Sequence, residues 1–215
     1  MKTIKYNKHL QNNININLIN YKFFIGKYVI YEKNGKGKEY WNGKLRFEGE
    51  YLKGKRNGKG KEYYNGKLKF EGEYLNDKKW EGEGHDIFNN IVYELKGGKG
   101  FIKEYNDNGK LSFEGEYLNG ERNGKGKEYD MNGKLIFEGK YSNGERNGKG
   151  NEYYNGKLRF EGEYLNGKKH GKGKEYDNGK LEFEGEYLYG YRLKGREYIN
   201  ERLEYEGEFL FNNKE

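Results

Sequence analysis

Paired carboxylates are the residues of this 215-residue chain best spaced to do chemistry. Glu48 and Glu50 flank Gly49, and the same Glu-Gly-Glu triplet recurs at 71–73, 114–116, 161–163 and 184–186. On an extended strand both carboxylates point to one side, as acid–base catalysis or calcium coordination would require. A catalytic pair is unique in its chain, whereas these are tiled and alternate with Arg46, Lys69 and Arg159. They read as a ladder of cross-strand ion pairs on a solvated face. Other catalytic chemistry has little to draw on. Serine occurs only at Ser112 and Ser142, threonine only at Thr3, histidine at His9, His85 and His170, and cysteine nowhere. No Ser–His–Asp arrangement is suggested, and thiolate metal sites and disulfides are excluded. His85-Asp86 is the one adjacent pair of metal-ligand types involving histidine. The Asn-Gly-Lys-Gly loops lack the phosphate-loop pattern and precede no helix, so turn geometry accounts for them. No catalytic, cofactor or metal site is expected.

A second constellation interleaves cations with aromatics: Lys38 with Tyr40, Lys61 with Tyr63, Lys127 with Tyr129, Tyr153, and Lys174 with Tyr176. Residues two apart on a strand share a face, and stacking rings beside cations can hold single-stranded nucleic acid or a phosphoinositide headgroup. A glutamate accompanies each lysine, which favours packing and solubility, with protein or lipid contacts next. The formal charge is +7, but residues 1–23 supply Lys2, Lys5, Lys8 and Lys22 without an acid. The remainder is nearly balanced, so nucleic acid is not an expected partner.

Something regular must position these residues. Leu, Ile, Val and Phe make up about a fifth of the chain and 36% is charged, which excludes a large apolar core. Against disorder stand 23 tyrosines and 35 glycines placed at regular intervals. The aromatic that opens each pentad recurs at 24, 47, 70, 93, 113, 137, 160, 183 and 205, giving eight repeats of about 23 residues and a half repeat. The pentads Phe47-Gly49-Tyr51, Phe70-Gly72-Tyr74, Phe113-Gly115-Tyr117 and Phe160-Gly162-Tyr164 have a period of two, the strand signature. Leu45 and its equivalents are expected on the same face as Phe47. Asn-Gly joins successive repeats at 42–43, 65–66, 108–109, 132–133, 155–156 and 178–179, predicting type I′ hairpins. Within a repeat a longer Gly-rich connection is expected at 53–58. Connections this short allow only antiparallel pairing. The fold expected is therefore all-β: an elongated, single-layer antiparallel meander of tandem hairpins without helix, the mid-strand glycines covered by rings.

Residues 1–23 form a basic, Asn/Ile-rich tail or a capping strand, and 24–215 form the array. The stretch 78–105 is irregular, with Leu95 where the pentad glycine belongs. The half repeat at the C-terminus suggests an open edge suited to self-association. No apolar run approaches a membrane span, and the N-terminal lysines lack the apolar core of a secretory signal.

The pentad, the Gly-rich turn and the following Gly-x-Gly at 58–60, 124–126, 148–150 and 171–173 resemble the MORN (membrane occupation and recognition nexus) repeat. The resemblance implies β-hairpin rods that act as scaffolds, link membranes to cytoskeleton or accompany catalytic domains. The expectation is a non-catalytic scaffold for protein partners, cytoplasmic or peripheral at a membrane or cytoskeleton. The alternative is a peripheral module for acidic phospholipids, including phosphoinositides.

Overall fold

A computed structural model describes residues 26–32, 34–106 and 108–210, and the backbone of 213–214. The tail at 1–23 lies outside these residues, as do Phe24 and Phe211. The described chain contains strands and turns and no helix. It divides into two units, residues 1–98 and 99–215.

The first unit holds a seven-stranded sheet in sequence order. Its strands are β1 (Lys27–Tyr31), β2 (Lys36–Trp41), β3 (Lys44–Leu52), β4 (Lys55–Tyr64), β5 (Lys67–Leu75), β6 (Lys78–His85) and β7 (Ile91–Leu95). The second unit holds an eleven-stranded sheet, also in sequence order. It comprises β8 (Gly100–Tyr105), β9 (Leu111–Leu118), β10 (Glu121–Tyr129), β11 (Leu135–Ser142), β12 (Glu145–Tyr154), β13 (Lys157–Leu165), β14 (Lys168–Asp177), β15 (Lys180–Leu188), β16 (Tyr191–Ile199), β17 (Arg202–Leu210) and β18 (Asn213–Lys214). Every pairing is antiparallel between neighbours in sequence, so each sheet is a meander. The division falls inside the irregular stretch. At the two ends Leu95 and Ile102 occupy positions that are glycine elsewhere, opposite Gly82 and Gly115, and both are 1% exposed. Gly100-Phe101-Ile102 therefore stands in register where other repeats have Gly-x-Gly. At the C-terminal end β18 pairs only with Phe209 and Leu210.

The turns are tighter than expected within repeats and looser at two joints. Asn42-Gly43, with φ of 48° and 75°, is a two-residue turn with both central residues left-handed, the type I′ pattern. Lys53-Gly54 does the same with 49° and 80°, so β4 begins at Lys55 and not near Lys59. At 106–109 and 130–133 one extra residue widens the joint. There the N–H of Gly109 or Gly133 bonds the carbonyl of Asn106 or Asp130, and the glycine is left-handed while Asn108 or Asn132 before it is not. The Asn106 or Asp130 side chain accepts the N–H groups of residues two and four further on. These joints are not type I′.

Bulges correct the expected faces. Glu62 pairs with Phe70 and Tyr63 with Leu68, so Lys69 is an extra residue on β5. Phe70 and Leu68 therefore lie on opposite faces. The leucine column sits with Tyr63 and its equivalents and is only half-buried, while Phe47, Phe70, Phe113, Phe137, Phe160 and Phe183 are 0% exposed.

Each phenylalanine lies in a box built by its own and the next repeat. The floor is a pair of facing glycines: a methyl on Gly49 would meet the Gly60 Cα at 2.6 Å and Phe47 Cζ at 2.7 Å. The ring comes from the same strand, not from a neighbour. Tyrosines form the walls, with Phe47 edge-on to Tyr51 at 5.5 Å and to Tyr74 at 5.0 Å. Cations form the lid: Arg56 stands 4.3 Å over Phe47, Arg146 4.0 Å over Phe137 and Arg192 4.5 Å over Phe183. The glutamate of each Lys-Glu-Tyr run neutralises that lid. Arg56 bonds Glu39 at 2.9 Å, Arg146 bonds Glu128 at 2.6 Å, and Arg192 bonds Glu175. The aromatic face thus carries ordered charge, which alternation alone did not foretell.

Gly49→Ala should lower the denaturation midpoint by overpacking worth about 1–3 kcal/mol. Gly144→Ala meets no atom within 4 Å and faces only its left-handed φ of 86°, which costs roughly 1–2 kcal/mol. Phe137→Ala should exceed both, at about 3–5 kcal/mol; urea titration followed by circular dichroism compares the three. Acid should also unfold the sheets. Burial raises the carboxyls of Glu39, Glu62, Glu128 and Glu175, but their Arg, Lys and Tyr partners outweigh it and the net shift is downward. A lowered folded pKa adds stability above the unfolded value near 4.3 and loses it as pH falls further. Thermal melts should be flat from pH 7 to about 5 and decline steeply below about 4.3.

Candidate functional surface

The face opposite the phenylalanines carries the residues singled out for binding. Each glycine of a pair is flanked by residues whose side chains point to this face, giving two columns of charge on either side of a glycine floor. Lys38 faces Glu48 at 3.7 Å, Lys61 faces Glu71 at 2.9 Å, Lys127 faces Glu138 at 3.7 Å and Lys174 faces Glu184 at 3.8 Å. These cross-strand lysines, not Arg46 or Arg159, are the partners of the tiled glutamates. Arg46 instead lies 3.9 Å over the Tyr64 ring, and Arg159 pairs with Asp177.

The tyrosines join the same ladder. Tyr63 donates to Glu48 at 2.7 Å, Tyr129 to Glu114 at 2.7 Å, Tyr153 to Glu138 at 2.6 Å and Tyr176 to Glu161 at 2.6 Å. Tyr40 stacks on Tyr28 with centroids 5.1 Å apart. The structure therefore brings the candidates within each unit onto one face, each beside an acid or a ring. Burial, followed by the bond to a glutamate, pushes the phenols of Tyr63, Tyr129 and Tyr176 up to about 12. They stay neutral donors over the physiological range.

The floor and its walls form open grooves. One of about 1,020 Å³ crosses β12 to β17, with Gly150, Gly162, Gly173 and Gly185 along its floor. Another of about 580 Å³ crosses β2 to β5 in the first unit. Neither collects a unique catalytic group. Among the described residues no cluster of three or more His, Cys, Asp or Glu could hold a metal ion. No described helix is long and apolar enough to cross a membrane.

A carboxylate at the bulges of β4 and β10 was not anticipated. The N–H of Lys59 donates to Glu50 at 3.1 Å, and that of Lys125 to Glu116 at 3.2 Å. The strand's extra residues at Asn57-Gly58 and Asn123-Gly124 thereby gain an acceptor for the displaced N–H. The signal in the sequence was the second glutamate of the pentad standing nine residues before the donor.

Four segments, 47–67, 113–134, 137–157 and 160–180, match the model of the MORN repeat. The chain carries MORN repeats. The intervening stretch 68–112 holds the altered positions, including Leu95 and Ile102. MORN repeats are in general protein- or membrane-interaction modules and are not enzymes in themselves. No curated protein matches the chain. One matching solved structure is that of Staphylococcus aureus TarM in complex with Fondaparinux, alpha-GlcNAc-glycerol and UDP. It is 14% identical with a TM-score of 0.26, over 74% of this chain and 24% of that one, and so bears on neither fold nor function.

Glu48→Gln, Glu114→Gln and Glu161→Gln combined should bring the three bonded phenols back toward the ordinary value near 10. Absorbance titration at alkaline pH reads the shift. An unchanged titration curve would mean that these hydrogen bonds do not hold the tyrosines.

Proposed function

We propose that this chain is a non-catalytic scaffold that holds protein partners along the charged, glycine-floored face of its MORN repeats. The observation that carries the reading is the tiling. Lys38, Lys61, Lys127 and Lys174 each sit opposite a glutamate beside an ordered tyrosine. One chemistry presented strand after strand suits an extended ligand of alternating charge, which gains affinity by spanning several repeats. Enzymatic sites concentrate distinct groups, and these grooves repeat the same ones.

The runner-up is a peripheral membrane module for acidic phospholipid, supported by the lysines of residues 1–23 and by the general behaviour of the repeat. An affinity capture separates the readings. The wild-type chain should retain partners that a Lys61→Glu, Lys127→Glu, Lys174→Glu triple variant loses. Equal recovery by both proteins, with co-sedimentation on acidic vesicles, would replace the scaffold by the membrane module.

A further inference from the structure

The second charged column departs from alternating sign at two places, one of them on β5 and β6, where Glu73 faces Glu81. Across β14 to β17 it reads Lys172, Glu186, Lys194, Glu208 in register, and Glu163 of β13 lies opposite Lys149 of β12 and, past a bulge, His170 of β14. On β10, β11 and β12 it reads Lys125, Lys140, Lys149. The cause is Lys140, which stands in its pentad where Glu50, Glu116 and Glu163 stand in theirs.

Three consequences follow. First, Lys125, Lys140 and Lys149 are all exposed, on adjacent strands about 4.8 Å apart. Lys125 lies directly opposite Lys140. Second, among the described residues no ion pair within 4 Å engages any of the three. The nearest acids of the column are committed elsewhere: Glu116 to the N–H of Lys125, and Glu163 against Gly171. Third, a lysine cannot accept the bulge N–H as a glutamate does. The stem of Lys140 lies instead along Gly148, with its Cδ 3.4 Å from where a Cβ would be. The N–H of Lys149, equivalent to the N–H groups of Lys59 and Lys125, is thus deprived of its carboxylate acceptor.

The three lysines line a cleft of about 410 Å³ on glycine floor, with four lysines against two glutamates, that adjoins the larger groove through Lys149, Gly150 and Asn151. The two larger grooves each hold one more acid than base. Asn151 takes the place of the lysine that Lys61 and Lys174 represent, supplying a neutral donor, and Phe101, 56% exposed, stands at the cleft's edge.

We propose that this cleft binds a small, multiply phosphorylated anion. Its phosphate oxygens replace the carboxylate that Lys140 has displaced and draw on the ammonium groups of Lys125, Lys140 and Lys149. Charge-assisted bonds to phosphate are the strongest such a surface can make, a backbone N–H at a bulge adds an oriented donor, and the cleft is of ligand-site size. A soluble anion in this cleft depends on neither reading of the overall function, and a lipid headgroup would rest on the membrane reading.

Calorimetry of the full chain with sodium tripolyphosphate at low ionic strength tests it. Lys140→Glu is the informative variant, because it restores the residue of the sister repeats and with it the missing acceptor. It should fold at least as stably as wild type and bind about tenfold more weakly or not at all. Lys36→Glu changes the net charge equally in the first unit and should bind as wild type does. Vesicles of phosphatidylcholine with and without phosphatidylinositol bisphosphate identify the source. Sedimentation that Lys140→Glu abolishes, without tripolyphosphate binding, assigns a lipid headgroup; tripolyphosphate binding assigns a soluble ligand. Wild type binding neither probe, Lys140→Glu binding like wild type, or Lys36→Glu weakening binding as much as Lys140→Glu would each overturn the proposal.

Discussion

The contact between a phenylalanine ring and a pair of facing glycines is the constraint on which the two sheets depend. Within each unit a single layer offers no second sheet or helix to bury a side chain against, yet six phenylalanines are wholly shielded. Glycine makes this possible by having nothing at Cβ. The ring of Phe47 lies flat across Gly49 and Gly60, where any side chain would collide with it or with the facing backbone. Tyrosines from two successive repeats then close the sides, and an arginine or lysine covers the top. Aromatic edges and cation–π contacts each contribute about 0.5–1.5 kcal/mol beyond burial, so many repeats sum what one could not supply.

That packing dictates the other face. With Phe47 and Gly49 turned one way, Glu48 and Glu50 must turn the other, and the glycine row becomes the floor of a groove walled by charge. The binding surface is therefore a by-product of the core, and its chemistry repeats because the core repeats. The bulges connect the two. They let Arg56 reach back over Phe47 while the displaced N–H of Lys59 is taken by Glu50. An acid on the outer face thus completes a distortion needed by the inner one.

Much of this was legible in the residues. Alternation in Phe-x-Gly-x-Tyr fixed the strands, Asn-Gly the turns, and the 23-residue period the antiparallel meander. What eluded the pattern has one physical origin: a bulge adds a residue without a sequence mark of its own. The one-residue bulge before each phenylalanine reverses the side on which the preceding residue lies, which moved Leu45 and Leu68 to the tyrosine face. The irregular stretch near residue 98 was visible at Leu95, which stands where the pentad glycine belongs, whereas Ile102 is an ordinary strand residue until its register shows that it replaces a glycine.

In a tiled protein the departures from the tile carry the most information, and burial sorts them. Leu95 and Ile102 are enclosed, so packing at the ends of the two sheets accounts for them. Leu193 stands in a bulge one residue shorter, where Glu186 and Lys194 pair directly at 3.4 Å. Lys140 has no such account. It is exposed, it faces another lysine across the strand, and it removes an acceptor that sister repeats use. Like charges placed directly opposite destabilise a sheet, so folding alone would favour glutamate there. A residue that costs the sheet stability and leaves three cations and a backbone donor converging on one cleft is accounted for by what that cleft holds.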